Sequence, residues 1–140
     1  MRINLDGTRR LLDACRALPS PARVVFTSSV AVFGGDMPEV LDDRTHLTPQ
    51  TSYGTQKAAS ELLINDYSRK GFIDGRALRL PTVVVRPGKP NAAASSFASS
   101  ILREPLQGEE VVCPVSAKTG VWLLSPRRVV ACLQIGRAHV

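Results

Sequence analysis

Apolar positions along the chain alternate between helical spacing and consecutive runs, and the switches between the two patterns predict its elements. Leu5, Leu11, Leu12, Cys15 and Leu18 fall on one stripe of a helix over residues 4–18, with Arg9, Arg10, Asp13 and Arg16 mostly off it. Pro19 and Pro21 end that helix, because proline cannot continue the hydrogen-bond ladder. The run Arg23-Val24-Val25-Phe26-Thr27-Ser28 then predicts a strand, and its unbroken apolar stretch suits one covered on both faces, as in a parallel sheet. Residues 29–49 read as loop, punctuated by Gly34-Gly35-Asp36, Pro38 and Asp42-Asp43. A second helix is expected from Thr51 or Ser52, either of which can cap it, to about Arg69, with Gly71 at the left-handed position just beyond.

Arg76-Ala77-Leu78-Arg79-Leu80 predicts the next strand, stopped by Pro81, and Val83-Val84-Val85 continues extended until Arg86-Pro87-Gly88. From Ala92 to Leu102, small residues with Phe97, Ile101 and Leu102 suggest a helix closed by Pro105 and Gly108. Val111 to Val115 and Val121 to Leu124 read as short strands. Pro126 then opens a last helix, Arg127 to Leu133, with Val129, Val130 and Leu133 inward. The order helix, strand, helix, strand, helix implies an α/β fold with parallel strands. The last six residues, Ile-Gly-Arg-Ala-His-Val, fit no element and resemble a translated sequencing-library adapter. Residues 135–140 are therefore set apart as an extraneous tail, and His139 is no candidate base.

Composition narrows the classes. The chain has 140 residues, 44% of them hydrophobic, which by length alone is one soluble globular domain. No apolar run approaches the roughly 18 residues that span a bilayer, and no signal-peptide pattern follows Met1, so a cytoplasmic protein off the membrane is expected. The net charge of +6 invites a nucleic-acid reading, but the arginines are scattered and aromatics make up only 5% of residues, too few for base stacking. A solvated surface or an anionic small-molecule ligand fits better. Cys15, Cys113 and Cys132 are far apart and form no CxxC, and His46 lies near none of them, so no metal site is expected and the thiols read as reduced.

Tyr53 and Lys57 stand four apart near the start of the second helix, which puts both side chains on one face. A free tyrosine hydroxyl has a pKa of about 10 and is a poor base near neutrality, whereas a neighbouring ammonium favours the phenolate. A tyrosine so placed can take a proton from a substrate alcohol or return it to a carbonyl. Taken alone, the spacing more often marks an ordinary surface pair on a helix. Its context is a strand ending in Thr27-Ser28-Ser29 one loop earlier, and open α/β sheets collect ligands at the carboxyl ends of their strands. Ser29 is thereby a candidate to position the same substrate oxygen, against the alternative that Ser28 and Ser29 merely satisfy backbone groups in a turn.

The segment from Val24 to Gly34, followed by Thr48-Pro49-Gln50-Thr51-Ser52-Tyr53-Gly54-Thr55-Gln56-Lys57, resembles the extended short-chain dehydrogenase/reductases, the group that holds the sugar-nucleotide epimerases and dehydratases. Asn4-Leu5-Asp6-Gly7-Thr8 resembles that family's Asn-x-x-Gly-Thr helix start, and Arg79-Leu80-Pro81 its arginine-containing strand before the nicotinamide loop. These motifs run through about two thirds of the chain in the family's order. The resemblance implies a partial Rossmann-type doubly wound parallel sheet over 1–90, carrying the catalytic residues, and part of a smaller substrate-binding region over 91–134. It implies Tyr53 as acid/base, Lys57 as its activator and holder of the nicotinamide ribose, and Ser29 as the residue that orients the reacting hydroxyl. NAD is the implied cofactor, with Ser28, Pro81 and Val83 beside Tyr53 and Lys57 in its site, and Asn4 supporting the active-site helix.

A narrower resemblance, over Arg79 to Ser96 and Ile101 to Leu106, is to members of the family that oxidise the C2 hydroxyl of four-carbon aldonates such as D-erythronate to the 2-keto acid. Arg86, Lys89 and Arg103 are then candidates to hold a substrate carboxylate, and Asn91 and Ser95 to read hydroxyls, against the alternative that each basic residue is simply an exposed charge. Sugar-nucleotide epimerase or dehydratase chemistry is the alternative on the same fold, and an inactive truncated fragment the non-enzymatic one. None of the ten glycines forms G-x-G-x-x-G or G-x-x-G-x-x-G, the backbone cradle for a dinucleotide pyrophosphate. The chain is therefore expected to be an internal piece of a longer enzyme, inactive by itself and with exposed strand edges. A homodimer is the candidate assembly of the complete enzyme.

Overall fold

The computed structural model describes residues 2–85 and 94–138. They form two compact units, one built from the chain up to Arg79 together with residues from Leu133 onward, the other from Leu80–Cys132.

In the first unit, a π-helical turn over Arg2–Asp6 leads into helix α1 (Gly7–Arg16), and the Thr8 hydroxyl donates back to the Asn4 carbonyl at 2.6 Å. The helix stops two residues short of the expected end, and Leu18 lies beyond it, 52% exposed, in a turn where its N–H reaches the Cys15 carbonyl. Leu12 is the buried member of the stripe. Leu11 is 57% exposed and faces a groove of about 310 Å³ that runs along strand β1 (Ala22–Ser29). The same groove is bordered by Val24, Val25 and Phe26, so β1 is not covered on both faces as its apolar run suggests: Ser28 alone of its eight residues is buried.

Helix α2 (Ser52–Arg69) starts where Thr51 caps it, its hydroxyl oxygen accepting from Gly54 N at 3.0 Å, a contribution of about 1 kcal/mol for such caps. It ends at the expected residue, and Gly71 at φ +73° turns the chain straight into strand β2 (Ile73–Leu80). That immediate turn, fixed by Phe72 N donating to the Tyr67 carbonyl, starts the strand three residues before the expected Arg76. β1 and β2 are neighbours in a two-stranded sheet with α2 as their connection. Leu12, Ile64 and Ile73, one each from α1, α2 and β2, meet in the core with Val24 and Phe26 of β1 against them. Burying such side chains stabilises by about 1.5–3 kcal/mol each, and this cluster holds α2 on the sheet.

In the second unit Pro81, which has no N–H, separates β2 from β3 (Thr82–Val83). β3 pairs in parallel with β4 (Leu123–Leu124), Thr82 opposite Leu123 and Val83 opposite Leu124. The expected strand over Val111 to Val115 is absent: Val112 is 86% exposed, and Pro114 interrupts the donors a ladder needs. Between these strands, a 3₁₀ turn at Ala94–Ser96 leads into helix α3 (Phe97–Arg103), and Gly108 at φ +78° closes the turn that follows. Helix α4 (Pro126–Ala138) opens at the expected proline but runs on past Leu133, so residues 135–138 are helical rather than outside any element. Each added helical residue gains a hydrogen bond once a helix is nucleated, and no proline intervenes. Val130, expected inward, is 54% exposed. The architecture is α/β.

Candidate active site

The carboxyl end of β1 and the first turns of α2 come together in the first unit. Ser29 ends β1 in extended conformation, and its hydroxyl oxygen accepts from Ala31 N at 3.2 Å, capping the 3₁₀ turn Val30–Val32 that Val32 anchors in the interior. A hydroxyl carries two lone pairs and one proton, so this turn-capping role leaves the Ser29 proton free to donate. The two expectations for Ser29, a turn and a substrate contact, are compatible.

Tyr53 and Lys57 share the face of α2 that meets β1. The Lys57 ammonium lies 5.7 Å from the Tyr53 ring centre and 4.5 Å from that of Phe26, and it donates to the Thr27 carbonyl at 2.7 Å. An ammonium has three donors, so one bond to Thr27 leaves two N–H groups for a ligand. Tyr53 is 46% exposed, open to an incoming substrate. Burial beside these rings holds Lys57 below the ordinary lysine value of 10.5. The unfolded chain then binds the proton more tightly, so the penalty is complete below the folded value and is relieved as pH rises toward 10.5. In a ¹³Cε lysine titration, the Lys57 resonance is expected to move at a pH below 10.5; a midpoint at or above 10.5 would contradict the burial.

Gly54, between the two, explains how the helix comes so close. A Cβ built there would lie 2.0 Å from the Ala31 carbonyl oxygen and 3.1 Å from Pro49 Cβ. Sequence reasoning passed over Gly54; its signal was a glycine in the first turn of a helix, where alanine would be favoured by about 1 kcal/mol.

Ser28 is buried at 3% exposure, and its hydroxyl donates to Glu61 Oε1. Glu61, equally buried, also receives a two-pronged contact from Arg79 of β2, with Nε at 3.2 and 3.1 Å from its two oxygens and Nη2 at 2.9 Å from Oε2. The Arg79 guanidinium stands 5.1 Å from the Phe33 ring centre. Glu61 was also missed, although it lies eight residues after Tyr53 and so on the same helix face. Asn4 is half-buried in the turn before α1, its carbonyl taken by Thr8.

Pro81, buried, and Val83, half-buried on β3, belong to the second unit, as does Ser95, which is exposed in the turn before α3. Arg103 directs Nη2 to Glu104 Oε1. Arg86, Lys89 and Asn91 lie outside the described residues. Among the described residues, no group of three or more His, Cys, Asp or Glu is placed to hold a metal ion, and no helix is long and apolar enough to cross a membrane.

An α/β unit with a serine closing one strand and a Tyr-x-x-x-Lys pair opening the next helix defines a class, and the chain belongs to it: residues 1–119 match the NAD dependent epimerase/dehydratase family. The chain is similar to a D-erythronate dehydrogenase of Cupriavidus necator, 64% identical over 136 residues, covering 97% of this chain and 42% of that protein. A D-erythronate dehydrogenase of Haemophilus influenzae is 60% identical over 128 residues, covering 91% of this chain and 41% of its own length. Among solved structures, a nucleoside-diphosphate-sugar epimerase from Agrobacterium tumefaciens superposes with a TM-score of 0.88 at 58% identity, over 98% of this chain and 41% of that one. The chain thus spans about two fifths of the length of the relatives it matches.

Proposed function

We propose that this chain is the proton-transfer segment of an NAD-dependent dehydrogenase that oxidises the C2 hydroxyl of D-erythronate, or a similar aldonate, to the 2-keto acid. The observation that supports this reading is the close approach of the first turns of α2, which bear Tyr53 and Lys57, to the carboxyl end of β1, which bears Ser29. Two relatives at 60% identity or more, each named for D-erythronate, support the substrate. On this reading residues 1–90 belong to the dinucleotide-binding domain, 91–134 to the substrate region, and the enzyme works in the cytoplasm.

Ser29 donates its free proton to the substrate oxygen and holds it toward Tyr53. Tyr53, acting as the phenolate, takes the proton of that oxygen as the carbonyl forms and becomes the phenol. Lys57 keeps its ammonium beside the Tyr53 ring through the Thr27 carbonyl, and its two remaining donors suit the vicinal hydroxyls of a ribose. When bound, the nicotinamide supplies the hydride acceptor, the chemistry no side chain can provide. Pro81, Val83 and the backbone of Ser28, whose hydroxyl is given to Glu61, are the further contacts proposed for the cofactor, and Arg86, Asn91 and Ser95, with Ser29, those for the sugar acid.

The test is a chimera in which this chain replaces the matching segment of the Cupriavidus necator relative. NADH formation is expected with D-erythronate and none with UDP- or GDP-sugars, while the 140-residue chain alone is expected to stay silent with both. The second reading, a sugar-nucleotide epimerase, is favoured by the name of the Agrobacterium tumefaciens neighbour. Turnover of a sugar nucleotide without turnover of erythronate would establish it instead.

A further inference from the structure

The mechanism leaves one buried ionic cluster unused. Glu61 stands one helical turn after Lys57 and two after Tyr53, on the same face of α2, at 3% exposure. Its Oε1 accepts from the hydroxyl of Ser28, the residue directly before Ser29, and both its oxygens accept from Arg79 of β2. A carboxylate in such surroundings is costly to desolvate and gives little stability beyond what a well-packed apolar residue would give. Stability therefore does not account for its placement, but geometry does. The cluster connects the strand end that presents Ser29, the helix face that presents Tyr53 and Lys57, and the neighbouring strand. Arg79 extends it to Phe33, just past the turn that Ser29 caps.

We propose that Glu61, acting through Ser28 and braced by Arg79, is a positioning residue that sets the spacing between Ser29 and the Tyr53–Lys57 pair. Three elements are pinned at one point, and a fork of two N–H groups on a carboxylate fixes direction as well as distance. Hydrophobic contacts among Leu12, Ile64 and Ile73 hold α2 on the sheet but allow it to slide, because burial has no preferred direction. The hydrogen-bonded cluster removes that freedom at the level of the reacting groups. The proposal rests on the proposed dehydrogenase reaction.

The deciding variant is Ser28→Ala in the chimera. It cuts the bond to the strand while leaving Glu61 paired with Arg79, so no buried charge is orphaned and the fold is retained. The kcat for D-erythronate is expected to fall about tenfold, with the KM for NAD and the thermal midpoint nearly unchanged, the signature of groups misplaced in the transition state. Glu61→Gln, which keeps the shape and an acceptor for Ser28, is the second variant. Its loss of kcat and that of Ser28→Ala are expected to overlap in the double variant rather than multiply, because both break one unit. An unchanged kcat in Ser28→Ala, or a kcat loss matched by an equal rise in KM for NAD, overturns the positioning role. Should Ser28→Ala fail to fold, an unchanged kcat in a folded Glu61→Gln overturns it equally. An inactive parent chimera sinks the functional reading and this one together, whereas an active parent with an indifferent Ser28→Ala sinks this one alone.

Discussion

Tyr53→Phe in the chimera is expected to lower kcat for D-erythronate by about a thousandfold while the KM for NAD stays within about a factor of two. The substitution removes one oxygen and keeps the ring, so the contact between the Lys57 ammonium and the aromatic face survives. Lys57 also keeps its bond to the Thr27 carbonyl, and through it the donors proposed for the ribose. Tyr53 is half exposed, and a change there disturbs stability by no more than about 0.5 kcal/mol. Folding and cofactor affinity are thereby separated from proton transfer. Ser29 cannot replace the lost base, because an alcohol hydroxyl is too weak a base to hold a proton near neutrality and Ser29 has no second group among the described residues to pass one to. Turnover at the parent rate would show that the substrate proton leaves by another route, and the assignment of the pair would fall with it.

The parts of this site that sequence discloses are those whose chemistry is local. Thr51 caps α2 and Gly71 ends it because each acts on backbone groups within a few residues. Tyr53 and Lys57 share a face because four residues make about one helical turn. What sequence does not disclose depends on partners far along the chain. Val111 to Val115 has the composition of a strand, yet the neighbour that β3 finds is Leu123–Leu124. Leu11 has the right spacing for the core but faces a groove beside β1. Glu61 reads as a surface carboxylate until Arg79, eighteen positions on, closes upon it. Helix α4 continues through residues 135–138 although their sequence looks foreign, because a helix already formed extends over any residues that do not forbid it.

Gly54→Ala sets local propensity against tertiary geometry. At an exposed helix position the change would stabilise by about 1 kcal/mol, since alanine loses less backbone freedom than glycine. Here the new methyl would stand 2.0 Å from the Ala31 carbonyl oxygen, against about 3.3 Å for a close C···O contact. The obstacle is backbone, anchored by Val32 in the interior and by the Ser29 cap, so no side chain can swing aside. The first turn of α2 must instead move away by on the order of 1 Å, and overpacking of this kind costs about 1–3 kcal/mol. Because the carbonyl that is struck lies two residues after Ser29 and the methyl one residue after Tyr53, the displacement falls between the two reacting groups. A shift of that size lowers turnover by about a hundredfold where orientation controls the rate. Both a lower thermal midpoint and a lower kcat are expected in the chimera, with the KM for NAD the least affected. Gly71→Ala is the control: its φ of +73° makes alanine costly by about 1–2 kcal/mol, but nothing lies within 4 Å of the added methyl and kcat should not change. A Gly54→Ala protein that is more stable and fully active would mean that the helix does not approach the Ala31 carbonyl, and the close docking of α2 on the end of β1 would have to be abandoned.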